Sequence, residues 1–463
     1  MNNAARLENS RLLALLIGSS EADADRLLDA RAALTFDSND DIAVAIGGHI
    51  ARLLSRTLSE VIVNSLAVRD VAVEIVVGRG LPRYRSATTY VAAVGRRVII
   101  GSSAIQHAPE GVPPLGCLLA ACYACAAAVA RVAGGRLGLP VADEFVVDVD
   151  QLLGADIGLL EKEVDFREAY LAGAGAIGNG FVVGLGTLPF RGTLHVVDDD
   201  HVSAGNLQRC VLFDQAEVDQ RKAEVLCREG RKRCPSVLFI PRTCRIQELP
   251  ERRPGPWLRR IVVGVDSPRA RRQLQAEFPR EVFDASTTGA EEIVFHYNRQ
   301  PNSGACLACV YRQSVQENAR ERHIAESLGV TLGEVRELQI SERSALKICA
   351  KFPHLQPGAI KGSPYDTLFK ALCSSSKLLT PEGAQVLTPF AFVSVLAGAM
   401  LALEFFRRVH RGHDGLFNEW RISPWNNPVM RRKQYLARSV ECEICGNPVL
   451  GPLAGDMWDR ALG

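Results

Sequence analysis

Three glycines followed by acids and cations form the strongest chemical signal in this sequence. The stretch YLAGAGAIGNG contains G-x-G-x-x-G, with its glycines at Gly173, Gly175 and Gly178. In such a loop the first glycine permits a tight turn, and the second lets a phosphate approach the backbone. The third lets a helix pack on its strand. The motif alone fits a nicotinamide dinucleotide as well as ATP.

Charged side chains and one amide downstream of the glycines distinguish between these two nucleotides. They are Asp198, Asp200, Asn206, Arg209, Lys222 and Asp266. A dinucleotide site needs one acid for the ribose and little else nearby. Two cations beside a glycine loop instead suit a triphosphate and the charge that moves onto pyrophosphate, and an aspartate at a strand end suits Mg²⁺. The spacing therefore predicts a nucleotidyl transferase.

Two CxxC pairs predict a structural zinc site. The first pair is Cys306 and Cys309 in CLAC, and the second is Cys442 and Cys445 in CEIC. Four thiolates in two chelating pairs make a closed tetrahedral site with no open position for water. A redox role is less favoured because two pairs are present. We expect the metal to clamp the end of the chain onto the sheet.

Alternating strands and helices from Phe166 to about Phe295 predict a doubly wound, mostly parallel, Rossmann-like α/β sheet. We divide the chain into an N-terminal α/β domain at 1–150 and a nucleotide-binding core at 151–313. A helical insertion follows at 314–378, and 379–463 completes the core and binds zinc. The segment 415–438 reads as polar and irregular.

A segment at the end of the first domain has the same sequence pattern as a segment of the later core. VPPLGCLLAACYACAAAVARV and LTPFAFVSVLAGAMLALEFFRRV share a proline, a small-residue helix, then arginine and valine. This pattern is typical either of an internal duplication or of unrelated helix packing. If it is a duplication, the front half has lost its glycine loop. VAIGGHIARLL is the nearest remnant of that loop.

Composition narrows the classes of partner. The 463 residues carry a net charge of +2, so nucleic acid is not expected as a partner. The 13 cysteines without a secretory leader predict reduced thiols in the cytoplasm. The segments 115–135 and 388–406 are apolar enough to resemble membrane spans. Their Ala, Gly, Ser and Cys content favours buried helices, so we expect no membrane contact.

The combined pattern resembles the ubiquitin-activating-type adenylating enzymes, whose bacterial relatives serve thiamine and molybdopterin biosynthesis. The shared elements are the glycine loop, D-x-D, N-L-x-R, a lysine, a strand-end aspartate and the four cysteines. The resemblance implies that Asp198 binds the ATP ribose and that Asp266 binds Mg²⁺. Arg209 and Lys222 would bind the phosphates, and Asp200 and Asn206 would complete the nucleotide site.

The chemistry that this resemblance implies is attack by a protein's C-terminal carboxylate on the α-phosphate of ATP. Many members of the family then transfer the acyl group to a cysteine as a thioester. Cys373 in ALCSSSKLLTPEG is the candidate, because it precedes the 388–406 helix as the cysteine of the family does. Cys349 is the second choice, although its apolar helical setting favours a buried thiol.

The sequence departs from the family pattern in three places. Cys210 stands where the family has glutamine, and Asp199 stands where an apolar residue is usual. We find no match to the arginine-bearing element that the family places before the glycine loop and that reaches the ATP of a partner half. The first 150 residues could act as that partner half, with Arg6 or Arg11 supplying the charge.

The leading interpretation is an activating enzyme for a ubiquitin-like protein, assembled as a homodimer or pseudo-dimer and passing its product to a conjugating enzyme. Adenylation of a sulfur-carrier protein or a small peptide without a thioester is the second interpretation. The third is a non-catalytic scaffold half of a heterodimer, although Arg209, Lys222 and Asp266 are all present.

Overall fold

The computed structural model describes residues 3–65, 70–154, 157–288, 291–301, 304–313, 315–337, 339–362, 365, 368–369, 372, 388–411 and 416–460. The chain divides into two compact units. One comprises Met1–Val310 and Thr388–Gly463, and the other is Tyr311–Leu387. The first unit contains two β-sheets, and the second is helical where it is described.

The first sheet belongs to the N-terminal part of the chain. Its elements are α1 (Asn3–Ile17), α2 (Glu21–Leu28), β1 (Arg31–Phe36), α3 (Asp41–Leu54), β2 (Glu60–Val63), β3 (Val73–Val77), β4 (Ala87–Gly95), β5 (Arg97–Gly101), β6 (Ala108–Pro109), α4 (Pro114–Val132), β7 (Phe145–Val147) and α5 (Val149–Leu153). The strand order is β2-β1-β3-β4-β5-β7, with β6 beside β4. The strands from β2 to β4 are parallel, and β5 and β7 continue antiparallel.

The second sheet belongs to the glycine-loop region. Its elements are β8 (Val164–Ala172), α6 (Ala176–Leu185), β9 (Phe190–Val197), α7 (Lys222–Arg233), β10 (Val237–Arg242), β11 (Arg260–Val263), α8 (Pro268–Ala276), β12 (Glu281–Thr288), β13 (Glu292–Arg299) and α9 (Leu307–Val310). The strand order is β10-β9-β8-β11-β12-β13. The run from β10 to β12 is parallel and has the 3-2-1-4-5 order of a doubly wound sheet. The predicted Rossmann-like fold is confirmed.

The remaining elements are α10 (Val315–Leu328), α11 (Leu332–Arg336), α12 (Glu342–Lys351), α13 (Pro357–Ile360), α14 (Ala391–Arg411), β14 (Glu419–Ile422), β15 (Arg432–Gln434) and α15 (Leu450–Arg460). The prediction of an irregular segment at 415–438 is wrong, because β14 extends the second sheet antiparallel to β13 and β15 pairs antiparallel with β14. Trp420 of β14 stacks on Phe295 of β13 with ring centroids 3.9 Å apart, so aromatic packing supports this short strand.

The two sheets share a topology. In each half the first strand is followed by one helix and then by a strand that pairs parallel with the first. That helix is α3 in the first half and α6 in the second. A later long helix, α4 or α14, packs on it. The order β2-β1-β3-β4-β5-β7 corresponds to β9-β8-β11-β12-β13-β14 in the second sheet, with the same parallel and antiparallel steps. The halves differ between β3 and β4, where residues 78–86 contain no helix and α8 has no counterpart.

Both long apolar helices lie in the core. Helix α4 is long and apolar enough to cross a membrane, but 89% of its most apolar window is buried inside the protein. Helix α14 packs against α6 through Gly180, Gly184 and Gly398. A Cβ on Gly398 would lie 2.2 Å from the backbone of Gly180. The small residues are thus required because the two helix backbones nearly touch.

The helical unit has a hydrophobic core of its own. Its buried side chains include Leu328, Val335 and Ile348. Cys349 is half-buried and packs against this core, which agrees with its interpretation as a buried thiol. Cys373, the first candidate for the thioester, lies outside the described residues.

Candidate functional site

The glycine turn between β8 and α6 is shaped by backbone contacts that exclude side chains. Gly173 has a φ of +99°, and a Cβ there would lie 3.0 Å from Gly264 at the end of β11. A Cβ on Gly178 would lie 2.2 Å from the carbonyl oxygen of Gly173. The first and third glycines of the motif therefore allow the turn to close on itself and on the neighbouring strand.

Gly175 differs from these two glycines. A Cβ there would meet no atom of the described residues within 4 Å, and its backbone conformation is open to any residue. Gly175 is also the N-cap of α6, and no side chain caps the helix at this position. The first N–H groups of α6 are thus free to bind an anion, and the positive end of the helix dipole favours one.

Asp198, directly after β9, holds the glycine turn in place. Its carboxylate accepts hydrogen bonds from the N–H of Ala174 at 2.7 Å and from the N–H of Asp200 at 2.9 Å. Burial raises the pKa of Asp198 to about 6, against the opposing effect of Lys222. Because this pKa lies above that of an unfolded chain, the contribution of Asp198 to stability is lost as pH rises from about 4 to 6. At neutral pH the carboxylate is charged and holds the loop, although burying this charge lowers the stability of the fold.

Lys222 begins α7 and points back toward these acids. Its Nζ lies 2.8 Å from the Oδ2 of Asp200, and its backbone N–H donates to the carbonyl of Asp200. Burial acts to lower its pKa, but Asp198 and Asp200 outweigh burial and raise it. The ammonium group is therefore a fixed positive charge beside the glycine turn.

Asn206 and Arg209 lie on the short 3₁₀ turn at 204–206 and just after it. The Asn206 side chain accepts from the N–H of Ser203 at 3.0 Å and so caps the turn. Arg209 is half-buried and donates from Nη1 to the carbonyl of Gly205 at 3.0 Å. Within the described part of the chain no acid pairs with Arg209, so its other donors are available to a ligand.

Cys210, the residue that replaces the glutamine of the family, is fully buried among these charges. Burial raises the pKa of its thiol, whereas Arg209 and Lys222 act to lower it and Asp198 acts to raise it. The structure therefore brings three predicted site residues to one place around this thiol. Because this small thiol stays neutral, it does not compensate the charges of Arg209 and Lys222, and both remain available to a ligand.

Asn179 is a residue of this site that sequence reasoning missed. Its buried amide donates to the carbonyls of Ala174 and Gly175 at 3.0 and 2.9 Å. Its oxygen accepts from the N–H of Leu212 at 3.0 Å. One side chain thus ties the glycine turn to the segment that follows Arg209. The available signal was an amide within the otherwise apolar start of α6.

Asp266 lies three residues beyond the end of β11, on the edge of the sheet that carries the glycine turn. Gly264 contacts Gly173, and Arg271 donates to the carbonyl of Val265 at 2.5 Å. The Asp266 side chain itself is exposed. The fixed backbone that precedes it places this residue at the carboxyl ends of β8 and β11, where ligands of such sheets bind.

Asp199, the second departure from the family pattern, points away from the turn. Its carboxylate lies 3.0 Å from the Nε of Arg245, and its carbonyl accepts from Arg221 at 2.8 Å. This partly exposed pair links the end of β9 to the segment after β10. Arg245 thereby compensates the negative charge of Asp199, which is the neighbour of Asp198 in the chain.

The corresponding turn in the N-terminal half is closed. Residues 37–40 connect β1 to α3, and the Asp40 carboxylate accepts from the N–H groups of Ile42 and Ala43 at 3.1 and 3.0 Å. The Nε2 of His107 lies 2.7 Å from the other oxygen of Asp40. The helix end that could bind phosphate is thus capped by a carboxylate of the chain itself. VAIGG, interpreted as a loop remnant, lies inside α3, so that interpretation is wrong.

The N-terminal half also contacts the site of the second half. Arg56 donates to the carbonyl of Leu207 at 2.7 Å and pairs with Asp214 at 2.5 Å. Asn9 of α1 is buried and donates to the carbonyl of Arg56 at 2.7 Å. These bonds hold the segment around Arg209 from both ends, since charge-assisted pairs of this kind are comparatively strong.

The four predicted cysteines meet. The Sγ of Cys306 lies 3.7 Å from that of Cys442, and the Sγ atoms of Cys309 and Cys445 are 3.2 Å apart. All four sulfur atoms lie within 4.8 Å of one another. A tetrahedral ion with metal–sulfur bonds of about 2.3 Å separates its ligands by about 3.8 Å, so the cluster could hold one metal ion.

Comparison with known proteins decides the family. Residues 158–437, more than half of the chain, match the ThiF family. The chain belongs to the ThiF family. The resemblance to ubiquitin-activating-type enzymes is thus confirmed, and this ThiF-family chain is an adenylyltransferase-like enzyme. Residues 1–154 match the E1 N-terminal domain.

Individual relatives cover this ThiF-family chain to different extents. The uncharacterized protein y4jF of Sinorhizobium fredii is 28% identical over 355 residues, which are 72% of this chain and 67% of that protein. Human ubiquitin-like modifier-activating enzyme 7 is 36% identical over 136 residues, 27% of this chain and 13% of that enzyme. Escherichia coli MccB with ATP is 18% identical with a TM-score of 0.39, covering 78% of this chain and 98% of that one.

The two contrasting glycines of the ThiF-family loop provide a test. Gly175→Ala is expected to weaken ATP binding about tenfold or more, because its Cβ would occupy the space a phosphate needs. Its melting temperature should change little. Gly178→Ala is the matched control and should lower the melting temperature, because its Cβ meets the oxygen of Gly173. Calorimetric titration with ATP that finds unchanged affinity in Gly175→Ala would contradict this account.

Proposed function

We propose that this chain uses ATP to adenylate the C-terminal carboxylate of a ubiquitin-like protein. One observation supports this proposal above others: the uncapped start of α6 at Gly175 lies among two aspartates, a half-buried lysine and an arginine without an acidic partner in the described residues. That arrangement suits a polyphosphate whose charge increases during the reaction.

Each charged group of the site receives a role in this proposal. Lys222, fixed beside Asp200, contacts the phosphates, and Arg209 stabilises the negative charge that develops on pyrophosphate. Asp198 and Asp200 orient the ribose and the lysine, and Asn206 shapes the turn that carries Arg209. Asp266 would hold Mg²⁺, which supplies charge neutralisation to the phosphate oxygens when bound.

The reaction proceeds by substitution at phosphorus. A carboxylate oxygen of the substrate forms a bond to the α-phosphorus of ATP, and the bond from that phosphorus to the bridging oxygen of pyrophosphate breaks. The products are an acyl-adenylate and pyrophosphate. In a second step the thiolate of Cys373 attacks the acyl carbon, AMP leaves, and a thioester forms. A conjugating enzyme would then accept the acyl group.

The choice of a ubiquitin-like substrate is supported by the human relative, whose name assigns it to activation of a ubiquitin-like modifier. The match to the E1 N-terminal domain supports it as well. A sulfur-carrier protein or a small peptide would present the same carboxylate. These substrates are therefore distinguished by experiment, as described below, rather than by the geometry of the phosphate site.

The N-terminal half is, in this proposal, an adenylation-like half without a nucleotide site, so that one chain forms a pseudo-dimer. Its shared strand order supports a common origin, and the Asp40 cap supports the loss of phosphate binding. Arg56, which reaches Leu207, supports a remaining role in positioning the active half. The division into domains at 150, 313 and 378 is part of the same proposal.

Arg11, rather than Arg6, is the better source of the missing partner-half charge. Arg6 is held by Asp25 at 2.6 Å and by Asp29 at 3.0 Å, both in the adjacent turns of the N-terminal half. Arg11 pairs with Glu8 at 3.0 Å and more distantly with Glu21 at 3.7 Å, but α1 lies against the turn at 204–206.

A chain of hydrogen bonds continues from the partner of Arg11 to the neighbour of Arg209. Thr388 donates to Glu8 at 3.2 Å, and Gln208 donates to Thr388 at 2.7 Å. Gln208 is fully buried, so a displacement of α1 is transmitted through Gln208 to the next residue, Arg209. This connection supports a contribution of α1 to the nucleotide site.

Arg11→Ala and Arg6→Ala form a matched pair of variants on one helix. Arg11→Ala is expected to lower ATP–pyrophosphate exchange about 10- to 100-fold, as expected when a charge-stabilising donor is lost. Arg6→Ala should lower the melting temperature slightly and leave exchange within about twofold of wild type. Equal exchange rates for the two variants would contradict the assignment.

For the four-cysteine cluster we propose zinc, because four thiolates in a closed tetrahedral arrangement are typical ligands of a structural zinc ion. The cluster joins α9 to the segment before α15, and Trp458 of α15 donates to the carbonyl of Phe278 at 2.9 Å. The ion would thus hold the end of the chain on the second sheet. Metal analysis of purified protein should find about one zinc per chain.

The substrate class and the covalent step are tested together. Full-length protein is incubated with ATP, Mg²⁺ and ubiquitin-like proteins encoded by neighbouring genes, with a matched set of short peptides ending in the same residues. We expect exchange and a thiol-sensitive adduct with a ubiquitin-like protein, and no adduct in Cys373→Ala. Cys349→Ala, which removes a half-buried thiol packed on the helical core, is the control and should retain the adduct.

Other outcomes of this experiment have defined meanings. Exchange that peptides alone stimulate would replace the ubiquitin-like substrate with a peptide. Exchange without an adduct would retain adenylation and remove the thioester step. The absence of ATP–pyrophosphate exchange with every substrate would contradict the proposed function itself.

A further inference from the structure

Arginines collect at the edge of the second sheet where the parallel strands β11 and β12 begin, opposite the edge that carries the glycine turn. Arg260 pairs in register with Glu281, and Glu281 with Arg299. Arg280 is joined to the flanking strands by backbone bonds, from its N–H to Leu258 at 3.1 Å and from Gln300 to its carbonyl at 2.7 Å. Neighbouring positions on three strands therefore carry cations.

Residues in register point to one face of a sheet, and their neighbours point to the other. Arg260 and Arg299 thus share the face of Glu281. Arg259 and Arg280 directly precede β11 and β12, and the charge of Arg280 acts on Arg259. Arg167, exposed in the irregular part of β8, is close enough that its charge acts on Arg259.

Arg280 is the central group of this cluster. Its side chain is almost completely buried, at 7% exposure, and its Nε has no hydrogen-bond partner in the described residues. The Nε of Arg259 is likewise buried without a partner among the residues that the structure describes. Leaving a buried guanidinium group unpaired is costly, because a charge removed from water needs compensation.

Glu281, the acid whose charge acts on both arginines, is already engaged. Glu281 lies 2.6 Å from the Nε of Arg260 and accepts from the hydroxyl of Tyr297 at 3.2 Å. Burial, followed by the charges of neighbouring arginines, lowers the pKa of both Arg259 and Arg280. Among the described residues, Glu281 thus compensates Arg259 and Arg280 only in part, and the charges of neighbouring arginines act against both.

We infer that Arg259 and Arg280 form a binding site for a small, phosphate-type oxyanion, separate from the nucleotide site. A doubly charged anion matches the excess of cations better than a single carboxylate does, and guanidinium groups bind such oxygens through paired hydrogen bonds. The small size follows from burial, because a flat macromolecular surface cannot reach the Nε of Arg280. This site depends on none of the residues assigned to adenylation.

Thermal unfolding of the full-length protein tests this site, with inorganic phosphate as the probe and sodium chloride at equal ionic strength as the reference. Phosphate at ten times its Kd is expected to raise the wild-type melting temperature by about 2 °C or more. Arg280→Met should abolish this rise. It should also raise the melting temperature in phosphate-free buffer, because an uncompensated buried charge is removed.

Two further variants make the result specific. Arg408 is buried even more deeply, at 1% exposure, but pairs with Glu404 at 2.7 Å, so Arg408→Met should lower the melting temperature and keep the phosphate effect. Gly175→Ala should also keep the phosphate effect, which separates this site from the glycine turn. Arg259→Met, at a half-buried position, should weaken the effect and serves if Arg280→Met does not fold.

The inference is overturned by any of three results. One is a wild-type melting temperature that phosphate does not change. Another is a phosphate effect that survives in both Arg280→Met and Arg259→Met. The third is loss of the phosphate effect in Gly175→Ala, which would assign the binding to the nucleotide loop.

Discussion

The close contact between the backbones of Gly173 and Gly178 is the constraint on which the nucleotide site depends. It turns the chain sharply from β8 into α6 and leaves the first N–H groups of the helix uncapped. Asp198 and Asn179 then hold this turn from opposite directions, through Ala174 and through Leu212. The positions of Lys222 and Arg209 follow, because each is attached to a segment that these two side chains fix.

The comparison between the two halves of the chain shows how small a difference opens or closes such a site. The strand orders correspond, and each half places a long helix on the helix after its first strand. In the second half Gly175 leaves the helix end open, whereas in the first half the Asp40 carboxylate occupies it. A carboxylate at this position satisfies the same N–H groups that a phosphate would, and it repels the phosphate as well.

Sequence reasoning predicted the parts of this structure that depend on spacing along the chain. The glycine loop, the Rossmann-like sheet and the meeting of Cys306 with Cys442 all followed from local pattern. It did not predict Asn179, because the value of a buried amide depends on what lies around it in three dimensions. It placed the loop of the N-terminal half in VAIGG, because glycines were taken as the signal for such a loop. The turn that Asp40 caps, at residues 37–40, contains no glycine.

The strands β14 and β15 show a second kind of limit. They are short and rich in charged residues, and they form strands because β13 offers a free edge and Phe295 offers a ring to Trp420. Such pairing comes from tertiary contacts, which outweigh local preference. The arginines at 259 and 280 likewise appear ordinary in sequence, since only the sheet brings them together.

The central claim is that one chain contains one nucleotide site, built on the second sheet and supported by the first. Equilibrium titration of the full-length protein with a non-hydrolysable ATP analogue tests this claim most directly. The account predicts saturation at one molecule of analogue per chain, with no further binding when the analogue is in large excess. Saturation at two molecules per chain would contradict it, because the turn capped by Asp40 would then bind a nucleotide as well.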